Sequence, residues 1–242
     1  MELKGKRAVI TGGSRGIGTA TAIALAEKGA DVAVVYHSNK EKAEKVVQKA
    51  LEKGVKAAAF GADLRSWTEV EKLISEVKES LGGIDILVNS AGINGPHSLL
   101  EDISPDEWKD VIDSNLSSAF FCVKASAEEL RKNRGKVINL SSIAAKMGGK
   151  LGSHYAASKG GISSMTFSMA GELAPEVTVN AIAPGPVNTE LITDDVKKKL
   201  AALTPFGRIA KPEEIAHTVI YLLENDYVSG EIIDVNAGRY TD

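Results

Sequence analysis

Four short β-rich runs alternate with helical patterns in the first ninety residues: RAVIT, a helix to about Gly29, VAVVY, a helix from about Lys40 to Lys53, KAAAF, a helix from about Trp67 to Leu81, and IDILVNSAG. Such alternation requires βαβ crossovers, and hence a parallel sheet covered on both faces. The pattern continues through a helical stretch from Pro105 to about Lys132, strand KVINLS, a helix carrying Tyr155, strand VTVNAI, helices around 194 to 202 and 212 to 224, and a final strand, EIIDVN. No internal repeat, low-complexity tract or linker divides it. The expected fold is therefore α/β, one doubly wound domain over residues 1–242 with a seven-stranded parallel sheet. With 43% hydrophobic residues there is ample material for its core.

Where the first strand meets the first helix the sequence reads TGGSRGIG, Thr11 to Gly18. Glycines between a strand and a helix N-terminus permit a tight turn and close backbone approach, while free N–H groups and the helix dipole attract pyrophosphate. Thr11, Gly12, Ser14, Arg15, Gly16, Ile17 and Gly18 are thus candidate cofactor-binding residues, although a Gly-rich turn with no ligand has the same composition. The glycines at 12, 16 and 18 give G-x-x-x-G-x-G rather than the general dinucleotide spacing. At the end of the second strand, an acidic residue would bind the ribose hydroxyls of NAD and repel a 2′-phosphate. Here Tyr36, His37, Ser38 and Asn39 supply no carboxylate, and Arg15 lies in the glycine turn, unless it is merely solvated. NADP(H) is the expected cofactor, with NAD(H) accepted less well.

Tyr155 and Lys159 are four residues apart, so on a helix they share a face. A cation about 4 Å from the phenol, at an effective dielectric of about 20, is worth roughly 4 kcal/mol. That would bring a tyrosine of ordinary pKa about 10 towards neutrality, against the opposing effect of burial. Ser142, directly after VINLS, is placed to hold a substrate oxygen beside that phenol. Taken alone, the pair is also what an ordinary helix surface displays.

Together with NSAG at residues 89 to 92, Asn115 in DSNLSSAF and APG at residues 183 to 185, these segments resemble the short-chain dehydrogenase/reductase family, in order and spacing over nearly the whole chain. The resemblance implies a Rossmann fold whose cofactor half is residues 1–92 and whose catalytic and substrate half is residues 93–242. It implies Asn115, Ser142, Tyr155 and Lys159 as the catalytic residues, Tyr155 and Lys159 also touching the cofactor, and no metal. Asn115 would distort its helix and expose a carbonyl for a water next to the lysine. Asp63 and Leu64 would contact the adenine, Ser66 being the better helix cap. Asn89, Ser90, Ala91 and Gly92 would border the cofactor, with Ser90 in place of the family's more usual asparagine. Pro184, Gly185, Val187 and Thr189 would reach its nicotinamide end, followed by a substrate-covering lid at about 190–210.

The reaction implied is reversible reduction of a carbonyl to an alcohol. Overall the chain is most similar to the β-ketoacyl-acyl-carrier-protein reductases, including the tail VNAGRY, which suggests a 3-oxoacyl thioester, fatty acid biosynthesis and an acyl carrier protein as partner. Arg131, Lys132 and Arg134 are candidates for meeting that acidic protein. Gly171 departs from the pattern, falling where those reductases usually place an arginine. HYAASKGG and VVYHSN also resemble sugar dehydrogenases, so a polyol or small ketone is the alternative substrate. A dinucleotide sensor that has lost chemistry is the alternative of another class.

Small residues Ala156, Gly160 and Ser164 on the Tyr155 helix let a neighbouring backbone come close, and the stripe in AFFCVKASAEEL is broad enough to pack a partner as well as the sheet, although the chain's own sheet could also fill the first role. The family resemblance implies a homotetramer built as a dimer of dimers. A net charge of −3 speaks against broad nucleic-acid or membrane-surface binding. No apolar run approaches the ~20 residues of a membrane span. The single Cys122 excludes an internal disulfide and reads as a small buried hydrophobe. A cytoplasmic protein is expected.

Overall fold

The computed structural model describes residues 1–190 and 192–241. Its strands are β1 (Arg7–Thr11), β2 (Asp31–Tyr36), β3 (Ala57–Gly61), β4 (Ile86–Asn89), β5 (Lys136–Leu140), β6 (Thr178–Pro184) and β7 (Ile232–Val235). They form one seven-stranded sheet in the order β3-β2-β1-β4-β5-β6-β7, every pairing parallel. The strand order reverses between β1 and β4, which opens a crevice at their carboxyl ends. The helices are α1 (Gly16–Glu27), α2 (Lys40–Leu51), α3 (Trp67–Leu81), α4 (Pro105–Ile112), α5 (Ser118–Asn133), α6 (Ala144–Met147), α7 (Ser153–Glu172), α8 (Asp194–Ala202) and α9 (Pro212–Glu224).

Central strands of a covered parallel sheet must be apolar on both faces. Val32 to Val35 of β2 are accordingly all fully buried. On one face Ile10, Val34, Val88 and Ile138 pack with Leu25 of α1, Val46 of α2 and Val219 of α9. On the other, Val9, Val35, Leu87 and Val137 pack with Leu73 of α3, Val123 of α5 and Met169 of α7. Cys122 belongs to the second layer, where burial pushes its thiol up to about 12.

Side-chain caps set several helix starts. Asn39 accepts from Lys42 N at 2.9 Å, Ser66 from Glu69 N at 3.4 Å and Ser104 from Glu107 N at 3.1 Å. α2 stops at Leu51 rather than Lys53, because the chain turns there through Gly54 at φ 80°.

The stretch from Pro105 onward is not one helix. α4 and α5 are separated by a π-helical turn, Asp113–Ser117. In and beside it the Ser117 hydroxyl bonds Asp113 Oδ1 at 3.0 Å, and Ser118 Oγ donates to the Ser114 carbonyl at 2.7 Å. A hydroxyl that competes for a backbone acceptor, as that of Ser118 does, loosens a helix.

After β6, Val187 pairs with Ala210 in a parallel bridge, flanked by Asn188 N to Ala210 O at 2.8 Å and Ala210 N to Pro186 O at 2.9 Å. The two ends of the segment carrying α8 are thus pinned together. Leu191, within the expected lid, lies outside the described residues.

Candidate active site

The β1–α1 turn is built from close contacts. Gly12 has φ +63°, and a Cβ there would lie 2.9 Å from Ala91 Cα. Gly16 has φ +52°, and its Cβ would lie 3.0 Å from Thr189 Cγ2. Gly18 packs α1 onto the turn, since a Cβ would come within 2.3 Å of the Gly12 carbonyl oxygen. Thr11 is buried, and its hydroxyl accepts from Ser90 N at 3.0 Å and Ala91 N at 3.1 Å, joining the two turns at the strand-order reversal. Thr11 and Gly18 therefore shape the turn from behind.

A Gly18→Ala variant is expected to unfold several degrees lower, because both clashing partners are backbone and overpacking costs about 1–3 kcal/mol. Thermal unfolding followed by circular dichroism measures this; an unchanged midpoint would show that the turn is free to shift.

A cleft of about 590 Å3 opens above these glycines. Gly12, Ser14, Arg15, Gly16 and Ile17 form one wall, and Tyr36, His37 and Ser38 the β2 end. Asp63 and Leu64 stand at the β3 end, with Ser90, Ala91 and Gly92 beyond β4 and Thr189 across from Gly16. The α1 N-terminus carries no acidic residue in its first turn. A cleft of this size with glycine-lined walls and a helix N-terminus fits a dinucleotide, whose diphosphate the free N–H groups at the start of α1 would hold.

Arg15 Nη2 reaches the Gly92 carbonyl at 3.3 Å. Asp63 is clamped by Arg65, at 2.9 Å from Nε and 2.7 Å from Nη2, which holds the carboxyl down at about 2. Lys42 and Glu190 also line the cleft and form an ion pair with each other. They lie 148 residues apart, so no local pattern in the sequence announces them.

The four catalytic candidates converge beside Gly92, outside the walls just described. Asn115, fully buried in the π turn, accepts from Ile93 N at 2.8 Å and donates to Ile93 O at 2.9 Å and Ser158 Oγ at 3.0 Å. A Cβ on Gly92 would lie 2.9 Å from Asn115 Oδ1 and 3.7 Å from Lys159 Nζ. Lys159 is buried and donates to the Leu140 carbonyl at 2.7 Å, with its Nζ 5.8 Å from the centre of the Tyr155 ring. Ser142 Oγ accepts from Ala144 N at 3.1 Å and also bonds the Tyr155 side chain.

The electrostatics differ from the expectation of a phenol poised near neutrality. Burial pushes the Tyr155 phenol above its ordinary value, and the Ser142 bond offsets only part of this. Lys159 is drawn to the Leu140 carbonyl instead of lying against the phenol oxygen, and burial lowers its own value to about 8. Tyr155 therefore holds its proton at neutral pH.

Other candidates lie away from the cleft wall. Asn89 points inward, donating to Asn139 Oδ1 at 2.9 Å. The Pro184 carbonyl accepts from Ile143 N at 3.1 Å, next to Ser142, and Gly185 gives room to Asn236, whose Cα would lie 3.0 Å from a Cβ. Val187 anchors the bridge to Ala210. Arg131, Lys132 and Arg134 lie at the end of α5 just before β5 begins, at the amino-terminal ends of the strands and so away from the carboxyl ends that face Tyr155. Arg131 is engaged there by Glu176 at 3.1 Å and the Glu172 carbonyl at 2.6 Å. Gly171 faces open space.

A family model described as short chain dehydrogenase matches residues 6–200. The 3-oxoacyl-acyl-carrier-protein reductase FabG of Staphylococcus aureus strain Mu50 is 41% identical, covering 97% of this chain and 98% of that protein. The corresponding reductase of Aquifex aeolicus is 36% identical over 99% of both. A crystal structure of a short-chain dehydrogenase/reductase from Burkholderia xenovorans superposes with a TM-score of 0.91 at 30% identity, covering 97% of each chain.

Proposed function

The chain belongs to the short chain dehydrogenase family, and from that premise we propose that it is an NADP(H)-dependent reductase of 3-oxoacyl thioesters. Membership makes it an oxidoreductase that works with a nicotinamide dinucleotide. The observation that carries the reaction is the buried Tyr155 phenol, kept protonated by its surroundings, bonded to Ser142 and backed by Lys159. The thioester substrate follows the relatives, which match at 41% and 36% identity over nearly their whole length.

When bound, the cofactor supplies hydride to the carbonyl carbon. Ser142 orients the carbonyl oxygen, and Tyr155 transfers its phenolic proton to that oxygen. The Lys159 ammonium stabilises the phenolate left behind, because opposite charge counts for more in a dry site. Asn115 holds the Ile93 backbone and Ser158 in place around them. Residues 1–92 supply most of the cofactor cleft and residues 93–242 the catalytic side, with 190–210 as lid.

NADP(H) is favoured because the β2 end, Tyr36 to Asn39, offers no carboxylate and Asp63 at the neighbouring β3 end is occupied by Arg65, while Arg15 and His37 line the cleft. The protein acts as a homotetramer in the cytoplasm, using the α5–α7 face where Phe120 and Phe167 are exposed. Among the described residues no helix is long and apolar enough to cross a membrane. Arg131, Lys132 and Arg134 are remote from Tyr155 within one chain, so an acyl carrier protein is supported by the relatives rather than by a basic patch beside the site. The lack of an arginine side chain at Gly171, where open space would admit one, favours the second reading, a small-ketone or sugar dehydrogenase.

Cofactor oxidation, followed by absorbance with acetoacetyl thioesters, small ketones and sugars, tests the proposal. The expected result is fastest turnover with the thioester, and NADPH preferred over NADH. Activity only on ketones or sugars would transfer the protein to the second reading, and NADPH binding without any turnover would make it a sensor.

A further inference from the structure

Helix α7 starts after Gly152, which has no side chain to cap it. The Tyr155 N–H lies in the first turn, where no intrahelical acceptor exists. The fully buried imidazole of His154 takes that role, its Nδ1 accepting from Tyr155 N at 2.7 Å. Nε2 must then carry the ring hydrogen, and it faces Glu107 Oε1 of α4 at 3.0 Å. Glu107 is three residues after the capping Ser104, where a capping-box carboxylate would return to the cap's own backbone. Its oxygens go instead to His154 and to His97, accepting from His97 N at 3.0 Å and pairing with His97 Nδ1 at 2.8 Å.

The surroundings are cut to this arrangement. Gly95, at φ +77°, would put a Cβ 2.5 Å from His154 Nε2, and Gly152, at φ +87°, one 2.7 Å from His154 Cε1. At the other end of the same loop Ile93 is held by Asn115, which donates to Ser158 Oγ, and that hydroxyl donates to the Tyr155 carbonyl at 2.8 Å. Both backbone polar groups of Tyr155 are thus gripped by side chains linked to the loop after β4.

We propose that His97, Glu107 and His154 are positioning residues that tie the 93–97 loop to the backbone of Tyr155, with His97 as a tie that slackens as pH rises. The importance of Tyr155 itself rests on the function proposed above. The groups facing His97 are Glu107 of α4, Asp102 of the preceding 3-10 turn and, across Glu107, His154 of α7. His97 is 53% exposed, so solvent can exchange its proton. Glu107, held down at about 2 chiefly by its bond to His97, stays charged throughout the working range. The Glu107 carboxylate raises the His97 value, so the charged pair is complete below His97's ordinary pKa of about 6.5 and fades as pH climbs through the raised value.

Hydrogen exchange on the full-length, cofactor-free protein tests the tie without relying on turnover. Peptides covering 93–99 are compared at about pH 6 and pH 9 after correction for intrinsic rates, with β1 and β5 peptides as internal standards. Protection of the loop is expected to fall about two- to fivefold at the higher pH, as for loss of an exposed ion pair. In His97→Asn, whose amide donates without titrating, the fall should vanish; in His97→Ala protection should be low at both pH values. With the preferred substrate, His97→Ala is expected to raise KM more than it lowers kcat. A pH-independent wild-type loop, or an unchanged fall in His97→Asn, would overturn the tie. Either result leaves the catalytic reading standing, and absence of turnover would leave the exchange result standing.

Discussion

Replacing Tyr155 by Phe is expected to lower kcat by about a thousandfold while leaving NADPH binding within a few-fold of wild type. A positioned general acid contributes about 10²–10⁴ in rate, and no other side chain bonds Ser142 from the position of the phenol. The ring itself keeps its packing over Lys159, and the helix start is untouched, because the His154 cap is made to the backbone of residue 155. The measurement is steady-state reduction beside a fluorescence titration of NADPH. Because burial raises the phenol, wild-type reduction should need no deprotonated tyrosine near neutral pH, whereas the reverse reaction should gain rate as pH increases. A Phe variant with full turnover would remove Tyr155 as the acid.

How far the sequence anticipates this site depends on whether the deciding contact is local. The helix from Trp67 to Leu81 is found where the sequence places it, because Ser66 caps its start and Gly82, in a left-handed conformation, ends it. The five inner strands are legible for a similar reason, their apolar runs being buried on both faces, whereas the edge strands β3 and β7 are only partly covered. The π turn is announced only by the family resemblance, which implies a distortion at Asn115; no local pattern marks it, since Asn115 answers to the Ile93 backbone on another element. Spacing places Lys159 under Tyr155 but does not reveal the Leu140 carbonyl that turns the ammonium aside, nor how thoroughly both groups are buried. The Lys42–Glu190 pair and the His97–Glu107–His154 set likewise join segments that only the fold brings together.

The same burial makes Lys159 a source of instability that the proposed reaction would require. Its value falls from 10.5 to about 8 in the folded chain, a difference worth about 3 kcal/mol. Between those values the unfolded chain binds more protons than the folded one, so stability rises with pH; below about 8 the full penalty stands. A Lys159→Met variant removes the penalty and forfeits the bond to the Leu140 carbonyl, which costs about 1–2 kcal/mol in return. The cofactor-free variant is therefore expected to be more stable than wild type by about 1–2 kcal/mol at pH 7, raising the melting midpoint by roughly 3–6 °C. That advantage should shrink above pH 8, as the wild-type lysine loses its proton. Turnover should drop at least about a hundredfold, because the phenolate then forms without a counter-charge. Thermal unfolding of both proteins across this pH range, paired with steady-state rates, measures the two effects. A variant that is less stable at pH 7 would mean that the contacts of the ammonium outweigh its burial, and a variant that still turns over would mean that the phenolate draws its stabilisation from elsewhere. Gain in stability with loss of rate is what a group kept for chemistry should show.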